Sequence, residues 1–173
     1  PQGRQVAFYE LPGNGPVKFD SARGGHNLKI RSLGHVVLRV TDLERAERFY
    51  SGVLGLPVCA HMDEGGFKMA FFSLGNHHDF ALMQVSGEGS SRSESAIGLH
   101  HVAFNIGTTL DELRAAKVKL DAAGVATTPI DHEVTKSLYL ADPDGNGIEV
   151  YVDVSDAWRR DPARVAQVKP LDL

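Results

Sequence analysis

The sequence predicts an α+β fold built from two tandem βαβββ modules, and three observations carry that reading. LGHVVLRV at 33–40 returns as LHHVAFNI at 99–106, a period of about 66 residues. Each copy is rich in apolar and β-branched residues, as strands are, and leads into a polar residue followed by apolar positions at helical spacing. Three short strand-like runs then follow each helical stretch. A repeat of this kind makes each half a control on the other.

In chain order, the N-terminal arm at 1–32 is Gly-rich and weakly patterned, although VAFYELPGNGPVKF at 6–19 loosely echoes LYLADPDGNGIEVY at 138–151. It reads equally as a decayed strand pair or as a surface arm. The first module covers 33–85: Thr41 and Glu44 have capping-box spacing, and Leu43, Ala46, Phe49 and Val53 form an apolar stripe, predicting a helix over 41–53. Strands follow at 57–62, 67–74 and 79–85. SGEGSSRSES at 86–95 lacks apolar periodicity and marks a linker over 86–98. The second module covers 99–153. There Thr109 and Glu112 repeat the box, and Leu110, Leu113, Ala116, Leu120 and Ala123 precede Gly124, predicting a helix over 109–123. Its strands fall at 125–129, 136–141 and 147–153. Residues 154–173, with Arg159, Arg160 and Pro162, read as a surface tail of a single compact domain.

Composition excludes several classes of partner. With 18 Lys plus Arg against 22 Asp plus Glu, the formal charge is −4, and no basic run could neutralise phosphates or an anionic bilayer. Neither nucleic acid nor membrane is expected. No stretch reaches the length of an apolar span. The lone Cys59 cannot close an intramolecular disulfide, so a cytoplasmic location is the expectation. Exposed module edges call for cover by the other module or another chain, which predicts a homo-oligomer.

Strand alternation sorts the polar residues by face. Val36, Leu38 and Val40, like Val102, Phe104 and Ile106, form apolar rows expected beneath the helices. The opposite rows hold His35, Val37 and Arg39, and His101, Ala103 and Asn105. His100 falls on the helix-facing row, so His101 is the better ligand candidate. In the last strand Glu149 alternates with Ile148 and Val150 and can point inward. The first-module position matching Glu149 falls at Leu82 or Met83, neither of which suits the site as a ligand. Two imidazoles and one carboxylate suit a divalent first-row metal and leave positions for substrate and O₂, as in non-haem iron oxygenases.

GHVVLRV, LHHVAFNI and DPDGNGIEVY resemble the vicinal-oxygen-chelate superfamily of glyoxalases, bleomycin-resistance proteins and extradiol dioxygenases, over about residues 33–153. NHHDFAL at 76–82 and DHEVTKSLYLADPDGN at 131–146 are most similar to the type I extradiol ring-cleaving dioxygenases. The resemblance implies a curved mixed sheet around a metal-containing cavity, with Fe(II), alternatively Mn(II), held by His35, His101 and Glu149. It implies His78 as acid/base, Tyr139 as a hydrogen-bond donor and His132 as a substrate-contacting or supporting histidine. His77, next to His78, is expected to face away from the cavity. Phe80 and Leu82 are expected to wall it, and DPDGN to aim Glu149. The partners implied are a small aromatic diol and O₂. Two alternatives remain: a redox-neutral metal-dependent lyase, isomerase or thiol transferase, and a non-catalytic drug-binding resistance protein.

Overall fold

The first strand, β1 (Val36–Val40), follows its alternation: Leu38 and Val40 are buried while Val37 and Arg39 are exposed. The structure, a computed structural model, describes residues 30–86 and 97–173. Readings made for the arm before residue 30 and for most of the linker lie outside those residues.

The helix after β1 starts one residue later than the capping-box reading. In α1 (Leu43–Glu47) the N-cap is Asp42, whose carboxylate accepts from Arg45 N at 2.9 Å. Aspartate caps at least as well as threonine, and this frees Thr41 for another partner. Its hydroxyl and its backbone N–H, the latter at 3.1 Å, both donate to Asp144 Oδ1 in the second module. Nor does the helix continue regularly to residue 53. Arg48–Val53 is a π-helical turn, closed by Leu54 N donating to Phe49 O at 3.0 Å. The wider turn brings consecutive residues closer to one face, so Phe49 and Tyr50 are both buried.

Strands β2 (Val58–Glu64), β3 (Phe67–Phe72) and β4 (Phe80–Gln84) complete the first module in the order β1-β4-β3-β2, with β1 parallel to β4. The second module repeats the plan with β5 (His101–Gly107), α2 (Leu110–Ala122), β6 (Thr128–Asp131), β7 (Thr135–Ala141) and β8 (Gly147–Asp153). Here Thr109 and Glu112 do form the full capping box. Threonine and backbone donors hold the Glu112 carboxyl below the usual range. β5 is parallel to β8, as β1 is to β4.

The tail lies at the surface as expected, none of its residues being buried, but it is tied to the second sheet. Its residues Lys169–Pro170 form β9, which pairs antiparallel with β6 and extends the second sheet to β5-β8-β7-β6-β9. Leu171 and Leu173 pack against the core. Each module thus closes its own mixed sheet, and one hydrophobic core runs through both, from Leu38, Phe49 and Phe80 to Leu113, Leu138 and Val152. Phe80 and Leu82, expected as pocket walls, are fully inside that core. Ile106 departs from its apolar row: β5 is irregular between Asn105 and Gly107, and the side chain is 37% exposed.

DPDGN does more than turn. Asp142 is buried and accepts from Asp144 N, Asn146 N and Asn146 Nδ2 within the turn, and from Tyr50 Oη at 2.9 Å across the modules. Burial, reinforced by the Asp142 charge, drives the Tyr50 phenol far above its ordinary pKa, so it stays a donor. Arg45 Nη2 reaches Asp144 Oδ1 at 2.8 Å. Burial pushes the Asp144 carboxyl up, but Thr41 and Arg45 outweigh it and leave the net shift downward.

Candidate metal centre

Glu149 lies in the middle of β8, in register with Ala103 of β5 and Tyr139 of β7, and is only 8% exposed. A buried carboxylate is costly without a partner. Its partner is His101, the first residue of β5, whose Nε2 lies 3.0 Å from Glu149 Oε2. The approach needs Gly147: a Cβ there would stand 2.3 Å from His100 O and 3.2 Å from His101 Cβ.

Tyr139 extends this group. Burial, followed by the charge of and hydrogen bond to Glu149, pushes its phenol up to about 12. Its hydroxyl also meets His132 Nε2 at 3.0 Å, while His132 Nδ1 lies 2.8 Å from Gln167 O. A carbonyl only accepts, so Nδ1 carries the proton; in neutral His132, Nε2 is then an acceptor. Two acceptors, His132 and Glu149, therefore compete for one phenolic proton.

The first module gathers a different group. Val36 N donates to Asp79 O at 3.1 Å and Val36 is in register with Phe80, which sets His35 beside the residues entering β4. The His35 and His78 ring centres are 4.2 Å apart. Desolvation lowers the His78 pKa, and the neighbouring His35 and His77 lower it further. His77 does not face away: the ligand nitrogens of His35, His77 and His78 all lie within 4.8 Å of one another. The alternation argument fails there because residues 73–79 form a turn, and β4 begins only at Phe80.

Of the six site residues expected from the sequence, Glu149, His101, Tyr139 and His132 come together, and His35 and His78 come together. Among the described residues the convergent group of three possible ligands is His35, His77 and His78, and His35 does not join His101 and Glu149 in such a group. The repeat position of Glu149 is also resolved. Ala103 pairs with Glu149 and Val37 pairs with Ala81, so the matching residue is Ala81, not Leu82 or Met83, and it has no ligand atom. His100 is exposed, not beneath a helix; its Nδ1 lies 2.7 Å from His101 Nδ1. Sequence reasoning set aside both His77 and His100. The available signal was the histidine doublet in NHHDF and in LHHVAF.

An imidazole nitrogen against a buried carboxylate oxygen, with no Lys or Arg in their ion pair, fits a divalent first-row ion. The glyoxalase/bleomycin resistance protein/dioxygenase superfamily model matches residues 32–150. The chain belongs to this superfamily. Within it, the chain is 32% identical over 131 residues to a catechol-2,3-dioxygenase of Bacillus subtilis (strain 168), covering 75% of this chain and 44% of that protein. It is 35% identical over 121 residues to a biphenyl-2,3-diol 1,2-dioxygenase of Rhodococcus globerulus, covering 69% and 61%. The chain thus spans about half to three-fifths of those two superfamily relatives. Lactoylglutathione lyases and methylmalonyl-CoA epimerases match at 27% to 32% identity. Among solved structures, a glyoxylase/bleomycin resistance protein/dioxygenase domain from Frankia sp. EAN1pec matches in fold, with a TM-score of 0.63, 23% identity and coverage of 72% of this chain and 99% of that one. No helix among the described residues is long and apolar enough to cross a membrane.

Proposed function

We propose that this superfamily member is an extradiol-type dioxygenase, which binds a small aromatic diol at a divalent metal and uses O₂ to cleave the ring beside the two hydroxyls. The observation that carries the reading is the His101–Glu149 pair at 3.0 Å, with the Tyr139 ring beside His101 and its hydroxyl 3.0 Å from His132 Nε2. The named activities of two relatives support the same reaction class. His101 and Glu149 would hold the ion, and His35, at the repeat position of His101, would complete the set. Fe(II) is the preferred ion and Mn(II) the alternative, because both accept imidazole and carboxylate ligands. The bound ion would supply Lewis acidity that lowers the pKa of the diol and a template that holds diol and O₂ together.

The remaining steps belong to the chain's own side chains. A pKa near 12 keeps Tyr139 Oη protonated at neutral pH, so it can donate a hydrogen bond to a diol oxygen. In the free site that single proton is directed to His132 Nε2, so it would turn from His132 to the diol oxygen when substrate binds. His78, lowered in pKa by desolvation and its neighbours, is neutral at pH 7; one of its ring nitrogens can take a proton from the diol and return it during ring opening. A site with a carboxylate from each module is opposed by Ala81 at the position of Glu149.

The test is anaerobic loading with Fe(II), metal analysis, and an oxygen-electrode assay with catechol and with biphenyl-2,3-diol. Oxygen uptake with formation of a coloured ring-opened product is expected. Iron-loaded protein that consumes no oxygen with any of a panel of diols would remove the dioxygenase reading.

A further inference from the structure

The geometry points to a second metal site: His35, His77 and His78 form a three-imidazole cluster that takes Zn(II), Co(II), Ni(II) or Cu(II) and, by occupying His35, competes with iron loading at His101 and Glu149. The three ligand nitrogens already lie within 4.8 Å of one another. Tetrahedral bonds of about 2.0–2.1 Å place ligand nitrogens roughly 3.3 Å apart, so small side-chain rotations suffice to close the set.

The backbone that presents these rings is well tied. Asp79 Oδ2 accepts from Leu74 N at 2.6 Å and from Asn76 N at 3.4 Å, and Ser73 Oγ donates to Asn76 O at 2.6 Å. Val36 N on Asp79 O joins His35 to the same turn. Asn76 Oδ1 accepts from His77 N at 3.0 Å and lies 3.3 Å from His77 Nδ1. With Nδ1–H turned to that oxygen, His77 Nε2 is left as the lone-pair nitrogen. The Phe71 ring stands edge-on to His78, with centres 5.4 Å apart, and backs the cluster on one side. His35 and His77 are exposed, so an ion can enter from solvent.

Donor chemistry separates the two sets. Three imidazoles without a carboxylate favour the later, borderline ions of the first row, whereas adding an oxygen anion suits Fe(II) and Mn(II) better. One imidazole nitrogen cannot serve both ions, so filling the cluster withholds His35 from the Glu149 set.

Metal-free protein is titrated with Co(II), read by visible d–d absorption, and with Cu(II), read by nitrogen hyperfine structure in electron paramagnetic resonance. Wild type, His77→Ala, His77→Gln and Glu149→Gln are compared, with circular dichroism checking the fold. Three-nitrogen coordination is expected in wild type and in Glu149→Gln. Both His77 variants should bind Co(II) at least tenfold more weakly while taking up Fe(II) as wild type does, and should need at least tenfold more Zn(II) to block that uptake. Co(II) affinities equal in wild type and both His77 variants would overturn the cluster, as would loss of all Co(II) binding in Glu149→Gln. Failure of the iron assignment reads out separately, as Fe(II) uptake unchanged by Glu149→Gln.

Discussion

Glu149 concentrates the residue-scale argument, because a carboxylate 8% exposed with an imidazole at 3.0 Å is either a buried ion pair or half of a metal set. The two differ in what survives mutation. Glu149→Ala is expected to abolish stoichiometric iron; full occupancy by metal analysis would show the pair to be structural. His78→Asn and His78→Phe are expected to retain iron and anaerobic diol binding while turning over roughly 10²–10⁴-fold more slowly. Iron loss in those variants would reassign His78 as a ligand. His100→Phe removes the nitrogen 2.7 Å from His101 Nδ1 and should weaken metal binding roughly tenfold or more, measured by competition with a chelator. The His101–Glu149 contact was legible because the repeat singles out His101 and alternation turns Glu149 inward, whereas the structure groups His35 with His77 and His78. His77 and His100 were not legible, since alternation says nothing about residues in a turn or just ahead of a strand.

At the scale of elements, the repeat made the strands of the two modules readable, and β1 to β8 match the expected runs to within three residues at either end. What escaped was whatever depended on the partner module. Thr41 had the spacing of a cap, yet Asp144 claims its hydroxyl, and Asp42 caps instead. The π-helical turn has no periodic signature, because its warrant is the Tyr50 hydroxyl reaching Asp142. The Asp144 carboxyl has a folded pKa below its unfolded value. Its stabilising contribution is therefore present above about pH 4 and lost as pH falls through the folded pKa. Asp144→Asn should accordingly lower stability at pH 7 by about 1–2 kcal/mol, and the difference from wild type should shrink towards pH 3. Urea midpoints at the two pH values check this; an equal gap at both would show that the charge is immaterial. Gly147→Ala is expected to cost more, since the added carbon meets backbone at 2.3 Å.

Across the whole molecule, two modules share one core, and the βαβββ order was fully readable, whereas the strap from the tail was not: two paired residues of β9 are too short to show a period. With β1 and β5 at the outer ends of their sheets, self-association remains the expectation. Light scattering should give a dimer or larger, and a monomer at micromolar concentration would end that expectation. The link between DPDGN and the first helix has a further consequence, which concerns time. Thr41–Asp144 and Tyr50–Asp142 join positions 103 and 92 residues apart, while β1 and β4, or β5 and β8, meet across fewer than 50. Long closures cost more chain entropy and reward the chain only after both ends are organised. The modules should therefore form first and clasp afterwards, beyond the main folding barrier. In a chevron experiment Asp144→Asn should speed unfolding and barely change the folding limb. The clasp then acts as a latch on the lifetime of the native state, and a cell would register its loss as faster turnover of the protein.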